Sequence, residues 1–70
     1  MREVEVTSEP VELYKILKFE GLVSSGGAAK AAVASGQVLV NGEIETRKRK
    51  KIVSGDIIAF GDETIRIRLV

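Results

Sequence analysis

The segment Val38-Leu39-Val40-Asn41-Gly42-Glu43-Ile44-Glu45 constrains this chain more than any other. Apolar residues alternate up to Asn41-Gly42, and alternation resumes beyond it. Asn-Gly between alternating segments is a strong hairpin signal, because both central residues of a type I′ turn need positive φ. A hairpin with one apolar face has to be covered by a second layer. In a chain of 70 residues that layer must come from the same small domain.

Two helices upstream can supply it. Thr7-Ser8-Glu9-Pro10 reads as a helix start, with Ser8 or Glu9 as the cap and Pro10 in the first turn, where its missing N–H is not needed. Leu13, Ile16 and Leu17 follow at helical spacing, with Lys15 and Lys18 towards the opposite face and Gly21 as the stop. Ser24-Ser25-Gly26-Gly27 then opens an Ala-rich helix capped by Ser25 and stopped by Gly36, with Ala29, Ala32 and Val33 as its buried stripe. Small side chains let this helix sit close to its neighbours.

The flanks have period two. Glu3 to Val6 alternates as a strand with Val4 and Val6 inward. Ile52-Val53 leads into a Ser54-Gly55-Asp56 turn, Ile57 to Phe60 reads as a strand, and Gly61-Asp62-Glu63 as a further turn. Thr64 to Leu69 alternates again, with Ile65, Ile67 and Leu69 in and Arg66 and Arg68 out. The expected order is β-α-α-β-β-β-β. That is an α+β fold of two antiparallel helices on a small, mostly antiparallel sheet of four to five short strands, forming one domain over residues 1–70.

Charge is distributed unevenly. The formal net charge is +1, from eleven Lys and Arg against ten Asp and Glu, yet Arg47-Lys48-Arg49-Lys50-Lys51 places five cations in succession. Elsewhere six cations face ten carboxylates, a balance of −4. The chain is an acidic body with a basic patch, and a patch creates a local field for an anionic partner. The simplest reading of the run is a solvated loop, but such clusters typify nucleic-acid patches. If the run is extended, Arg47, Arg49 and Lys51 share one side and Lys48 and Lys50 the other.

Other constellations exclude more than they suggest. With no His and no Cys, Ser-His or Cys-His nucleophiles and conventional zinc sites are absent. Glu43 and Glu45 flank the hairpin turn as solvated carboxylates, and Glu3 and Glu5 are the outer residues of a strand. No P-loop or dinucleotide fingerprint occurs. The chain is expected to be a non-enzyme without cofactor or metal. Ser25-Gly26-Gly27 reads as a cap, and also as a phosphate seat, because Gly lets an anion approach the first helix amides. Tyr14, Phe19 and Phe60 are expected to pack, which disfavours recognition by stacked single-strand bases and favours shape and backbone recognition. No apolar stretch approaches a membrane span, and MREVEVTSEP lacks an apolar signal core, so a cytoplasmic location is expected.

Leu13, Leu17, Ser25, Ala29, Ala32-Val33, Gly36, Val38, Val40-Asn41-Gly42 and Gly55-Asp56 together resemble the RNA-binding domain named after ribosomal small-subunit protein S-four, built on two helices and a hairpin called the αL motif. The resemblance covers about residues 11–60. More narrowly, the chain is similar to the short stand-alone bacterial members of that superfamily, the YbcJ-like proteins. It implies binding of structured RNA, ribosomal or transfer RNA, by a monomer that associates with the ribosome or its RNA. The resemblance places Lys30, just after Ala29, at a position commonly basic in the family; the residues themselves add Lys15, Lys18, Ser25, Gly26, Gly27 and the run Arg47, Lys48, Arg49, Lys50 and Lys51 as candidate contacts. Two departures stand out. The family often has Arg-Leu-Asp where this chain has Glu12-Leu13-Tyr14, and Ser-Arg where it has Ser25-Gly26. The Arg47–Lys51 run can replace those cations and shift the RNA footprint. Two alternatives remain: a protein-binding adaptor using the patch, and a β-grasp sulfur-carrier-like protein. The second needs a C-terminal Gly-Gly where this chain reads Arg68-Leu69-Val70.

Overall fold

The computed structural model describes residues 1–70. Nine elements follow one another: β1 (Arg2–Val6), β2 (Val11–Glu12), α1 (Leu13–Phe19), α2 (Gly26–Ala34), β3 (Val38–Val40), β4 (Glu43–Ile44), β5 (Lys51–Ile52), β6 (Ile57–Phe60) and β7 (Glu63–Leu69). Five strands form one sheet in the order β1-β7-β6-β3-β4, and β2 pairs with β5 in a separate antiparallel ribbon. Only β1 and β7 run parallel, with Val4 opposite Ile67. The α+β class and the helix pair on a mostly antiparallel sheet are as the periodicity predicts. The β2–β5 ribbon is additional.

The layers meet along the predicted stripes. Leu13, Ile16 and Leu17 from α1 and Ala29, Ala32 and Val33 from α2 are buried against Val38, Val40, Ile58, Ile65 and Ile67 of the sheet. No polar or charged residue is buried, so the core carries no desolvation penalty to offset. Val4 is buried and Val6 half-buried, while Leu69 is 41% exposed. Leu69 pairs with Val6 at the last position of the β1–β7 ladder, where the sheet edge ends.

Both helices end in the same way. Past α1, Gly21 donates to the Lys18 carbonyl and Leu22 to that of Leu17; past α2, Gly36 donates to Val33 and Gln37 to Ala32. This is the Schellman arrangement, and Gly21 (φ 72°) and Gly36 (φ 80°) supply its left-handed residue. The start of α1 differs from expectation. Neither Ser8 nor Glu9 caps it, Pro10 is outside it after a cis Glu9–Pro10 peptide, and Glu12 precedes it without a side-chain cap bond. Glu9 accepts instead from the Ser54 amide at 2.8 Å. Partners for the first α1 amides come from carbonyls far along the chain.

The hairpin is fixed by more than its turn. Asn41 (φ 53°) and Gly42 (φ 85°) adopt the predicted left-handed pair. The Asn41 side chain also donates to Asp56 Oδ1 at 3.0 Å and accepts from the Ile57 amide at 2.9 Å. Asp56 Oδ2 accepts from the Val53 amide at 3.0 Å. Asn41 and Asp56 thus clip two turns that lie 15 residues apart. Asn41→Gly keeps the turn conformation and removes the clip. It and Asp56→Ala should each lower stability by about 1–2 kcal/mol. In urea titrations the double variant should fall short of the summed losses by about 0.5 kcal/mol or more; strict additivity would contradict the clip.

Candidate functional site

The basic run is not a strand. The Lys50 amide donates to the Arg47 carbonyl at 3.1 Å, closing a turn with Lys48 and Arg49 at its corners. The cause lies in α1. Its first two amides, Leu13 and Tyr14, donate to the carbonyls of Lys50 (2.9 Å) and Lys48 (3.1 Å). Successive helix amides are about 1.5 Å apart along the axis, whereas carbonyls two residues apart in an extended strand are about 7 Å apart. The run must curl to serve both. The expected division into two faces therefore fails. Arg47, Arg49, Lys50 and Lys51 line one shallow hollow together, and Lys48 marks the turn's corner beside α1.

Arg47 is the one member of the run with a fixed partner. Its Nε and Nη2 donate to the two carboxylate oxygens of Glu45 at 2.9 and 3.1 Å, and its backbone amide donates to Glu45 Oε2 at 3.0 Å. The sequence leads one to expect Glu45 as a solvated carboxylate; its side chain is only 13% exposed and is paired with Arg47. The hydrogen bonds from the Arg47 guanidinium, then that from its backbone amide, hold the Glu45 pKa down at about 2 from an ordinary 4.5. Glu45 and Arg47 form a bidentate clip that enters the basic turn, leaving the four cations after it without a carboxylate partner.

The helix pair continues this surface. The Lys30 ammonium of α2 lies 4.8 Å from the centroid of the Tyr14 ring on α1, within cation–π range. The stem of Lys18 lies 3.8 Å from where a Cβ on Gly26 would stand. Tyr14 and Lys18 are four residues apart on one helix, Gly26 and Lys30 four apart on the other. The two contacts are thus successive rungs of one antiparallel seam. Tyr14 joins the seam to the turn, since its amide is the one bonded to Lys48 and its ring the one beneath Lys30. Lys15 lies on the same helix, with its ammonium 3.2 Å from Glu12.

At the start of α2, Ser25 Oγ accepts from the Ala28 amide at 3.1 Å, as the cap reading requires. The amides of Gly26 and Gly27 make no bond within the protein. A Cβ at Gly26 would meet the Lys18 stem at 3.8 Å and one at Gly27 the Ser25 hydroxyl at 3.9 Å. Phe60 packs on the core as expected, and Tyr14 is half-buried against it. Phe19 does not pack: it is 69% exposed at the last position of α1.

Pairing divides the cations cleanly. Arg2, Lys15, Arg47, Arg66 and Arg68 each meet a carboxylate, namely Glu20, Glu12, Glu45 and, for the last two, Glu3. Lys18, Lys30, Lys48, Arg49, Lys50 and Lys51 meet none, and all six lie on the seam or the turn. No group of His, Cys, Asp or Glu is placed to hold a metal ion. The sequence pattern found the run and the lysines. It did not find Tyr14 as their junction or Glu45 as the clip. The matched four-residue spacings of 14/18 and 26/30 were the available signal for the seam.

A family model described as the S4 domain matches residues 4–68. The chain is 49% identical over 57 residues to YbcJ of Escherichia coli (strain K12), covering 81% of each protein. It is 33% identical over 55 residues to RlbA of Bacillus subtilis (strain 168), named a probable ribosome maturation protein, covering 79% of this chain and 78% of that one. The solution structure of E. coli YbcJ, described as revealing an αL motif involved in RNA binding, superposes with a TM-score of 0.74 at 42% identity, over 97% of this chain and 87% of that one.

Glu45 offers a direct check on the turn. A folded-state pKa below the unfolded one means that the clip stabilises fully above about 4.5 and is lost as pH falls towards about 2. An NMR titration of the Glu45 carboxyl carbon should show a midpoint near 2, and Arg47→Ala should return it towards 4.5. An ordinary midpoint in the parent chain would contradict the clip.

Proposed function

This chain belongs to the S4 domain family, and we propose that it is a non-catalytic RNA-binding module. It holds structured RNA by its backbone phosphates, ribosomal or transfer RNA being the class in view. The single observation that carries this reading is the convergence of all six carboxylate-free cations on one continuous surface, with Tyr14 as the joint between its halves. Three of the six stand on a turn whose carbonyls are tied to a helix and Lys51 follows in β5, so their backbone is fixed before any ligand arrives. Preorganisation of this kind lowers the entropy cost of binding. The name of RlbA and the described motif of YbcJ point in the same direction.

The two missing family cations find substitutes in space. Glu12 stands where relatives of this type often carry Arg, and its ladder partner is Lys51 of the basic turn. Gly26 stands at the second such position, and the Lys18 stem passes over it. Lys51 and Lys18 thus bring charge to the places where the local sequence lacks it. Arg47 has a smaller part than the run alone suggests, because its guanidinium is engaged with Glu45.

Binding through phosphates makes affinity fall with salt, by roughly 0.7–0.9 in log K per contact for each decade of salt. Bulk transfer RNA should bind better than unstructured polyuridine. Replacing Arg49, Lys50 and Lys51 together with Ala should flatten the log–log salt slope by roughly 2–3. Arg47→Ala should flatten it less. An unchanged slope in the triple variant would remove the turn from the interface. In the opposite direction, Gly26→Arg should fold, since a Cβ there meets only the Lys18 stem at ordinary contact distance. Filter binding to transfer RNA should then show tighter binding and a salt slope steeper by roughly 0.7–0.9.

A further inference from the structure

Phe19 is the feature that backbone binding leaves unexplained. It is the most exposed large hydrophobic residue apart from Met1, at 69%. It is the final residue of α1, immediately after Lys18, whose ammonium lies 5.9 Å from its ring centroid. The core does not need it: the half-buried side chains packed there include Leu22 and Val23 from the following loop, but not Phe19. Leaving a phenyl ring in water forgoes roughly 1.5–3 kcal/mol of burial. Nothing in the fold recovers that cost.

The surroundings specify what would cover the ring. Lys18 also overlies Gly26, so the ring sits at the far end of the seam from the basic turn. The free amides of Gly26 and Gly27 and the ammonium of Lys18 make the adjacent ground positive. The carboxylate that follows, Glu20, lies 3.9 Å from Arg2 and is turned towards β1. An apolar protein surface would gain no use from the cations, and a phosphate alone would gain none from the ring. A nucleotide uses both. We propose that Phe19 is a stacking platform for one unpaired base, with Lys18 and the start of α2 receiving its flanking phosphate. Rested on the RNA-binding reading, this deepens it: the preferred target is a helix interrupted by a bulge or a loop, not a continuous duplex. The turn grips the backbone at one end of the seam, and Phe19 detects an extruded base at the other.

The test compares two hairpin RNAs, one fully paired and one with a single bulged adenine. The parent chain should favour the bulged RNA. Phe19→Ala should lose about tenfold or more on the bulged RNA and change little on the paired one, given what base–aromatic stacking contributes. Phe19→Trp should keep the preference, and its fluorescence should be quenched by the bulged RNA. Because the ring is exposed, Phe19→Ala should retain its fold, which thermal melting checks. Equal affinity of Phe19→Ala and the parent for the bulged RNA would overturn the stacking role while leaving RNA binding intact. So would an equal loss on both RNAs, or a dimer in sedimentation that disappears with Phe19→Ala. No binding of either RNA by the parent chain would instead overturn the RNA-binding reading itself, and this inference with it.

Discussion

The surface of this protein depends on two hydrogen bonds that cap a helix with distant main chain. A seven-residue helix is too short to be stable alone, and α1 has no side chain at its N-terminus to satisfy its leading amides. The carbonyls of Lys48 and Lys50 do so. One contact therefore has two consequences. It sets the start of α1 directly after β2 of the ribbon, and it bends the basic run into a turn held against the helix pair. Without it the run would be a loop with five charges and no defined position. Glu45 and Arg47 secure the entry to that turn, and the Lys51–Glu12 and Ile52–Val11 pairs secure its exit.

A second constraint lies beneath the first. The Asn-Gly hairpin and the Gly-Asp turn look like independent local signals, each explicable by its own backbone demands. The structure joins them through the side chains of Asn41 and Asp56. That junction fixes where β6 starts relative to β3, and so where the chain re-enters the sheet after the basic turn. The spacing between the two motifs is thus a length of chain, spanned by β4, the turn and β5. Insertion within it would disturb the cap of α1 before it disturbed the sheet.

What the sequence made legible was local. Helix stripes, the hairpin, the Gly stops and the alternating strands each depend on residues a few positions apart, and apart from the exposed end of β7 at Leu69 they are where periodicity places them. What it hid was tertiary. The start of α1 was read from Ser8, Glu9 and Pro10, which are sound signals, but carbonyls more than thirty residues downstream overrode them. The division of the run into two faces holds only for an extended backbone, and nothing near it in the chain predicts the turn that it forms. Phe19 was expected to pack because aromatic residues usually do, and its exposure follows from its place at the last turn of α1. The lysines illustrate the boundary well: Lys18 and Lys30 carry no information singly, and only antiparallel packing of the two helices aligns them.

The remaining question is how a chain of net charge +1 tolerates six cations without carboxylate partners on one side. Two exposed like charges about 7 Å apart repel by only about 0.6 kcal/mol in water, and less at physiological salt, where the Debye length is about 8 Å. That is no more than the net value of a single backbone hydrogen bond, roughly 0.5–1.5 kcal/mol. The repulsion sums over every pair of cations on the turn, so the two bonds from α1 and the bidentate Glu45 clip act together with salt screening to hold the turn against its own charge. The opposite edge of the sheet shows the complementary arrangement. There Arg66 and Arg68 share Glu3, whose pKa the Arg66 hydrogen bond lowers, and Arg2 meets Glu20. Neutralising the cations on that edge, more than adding cations to the other, gives the field of this small domain its direction. A polyanion approaching the paired edge would meet cations already engaged with carboxylates, while one approaching the seam would meet every cation that lacks a carboxylate partner.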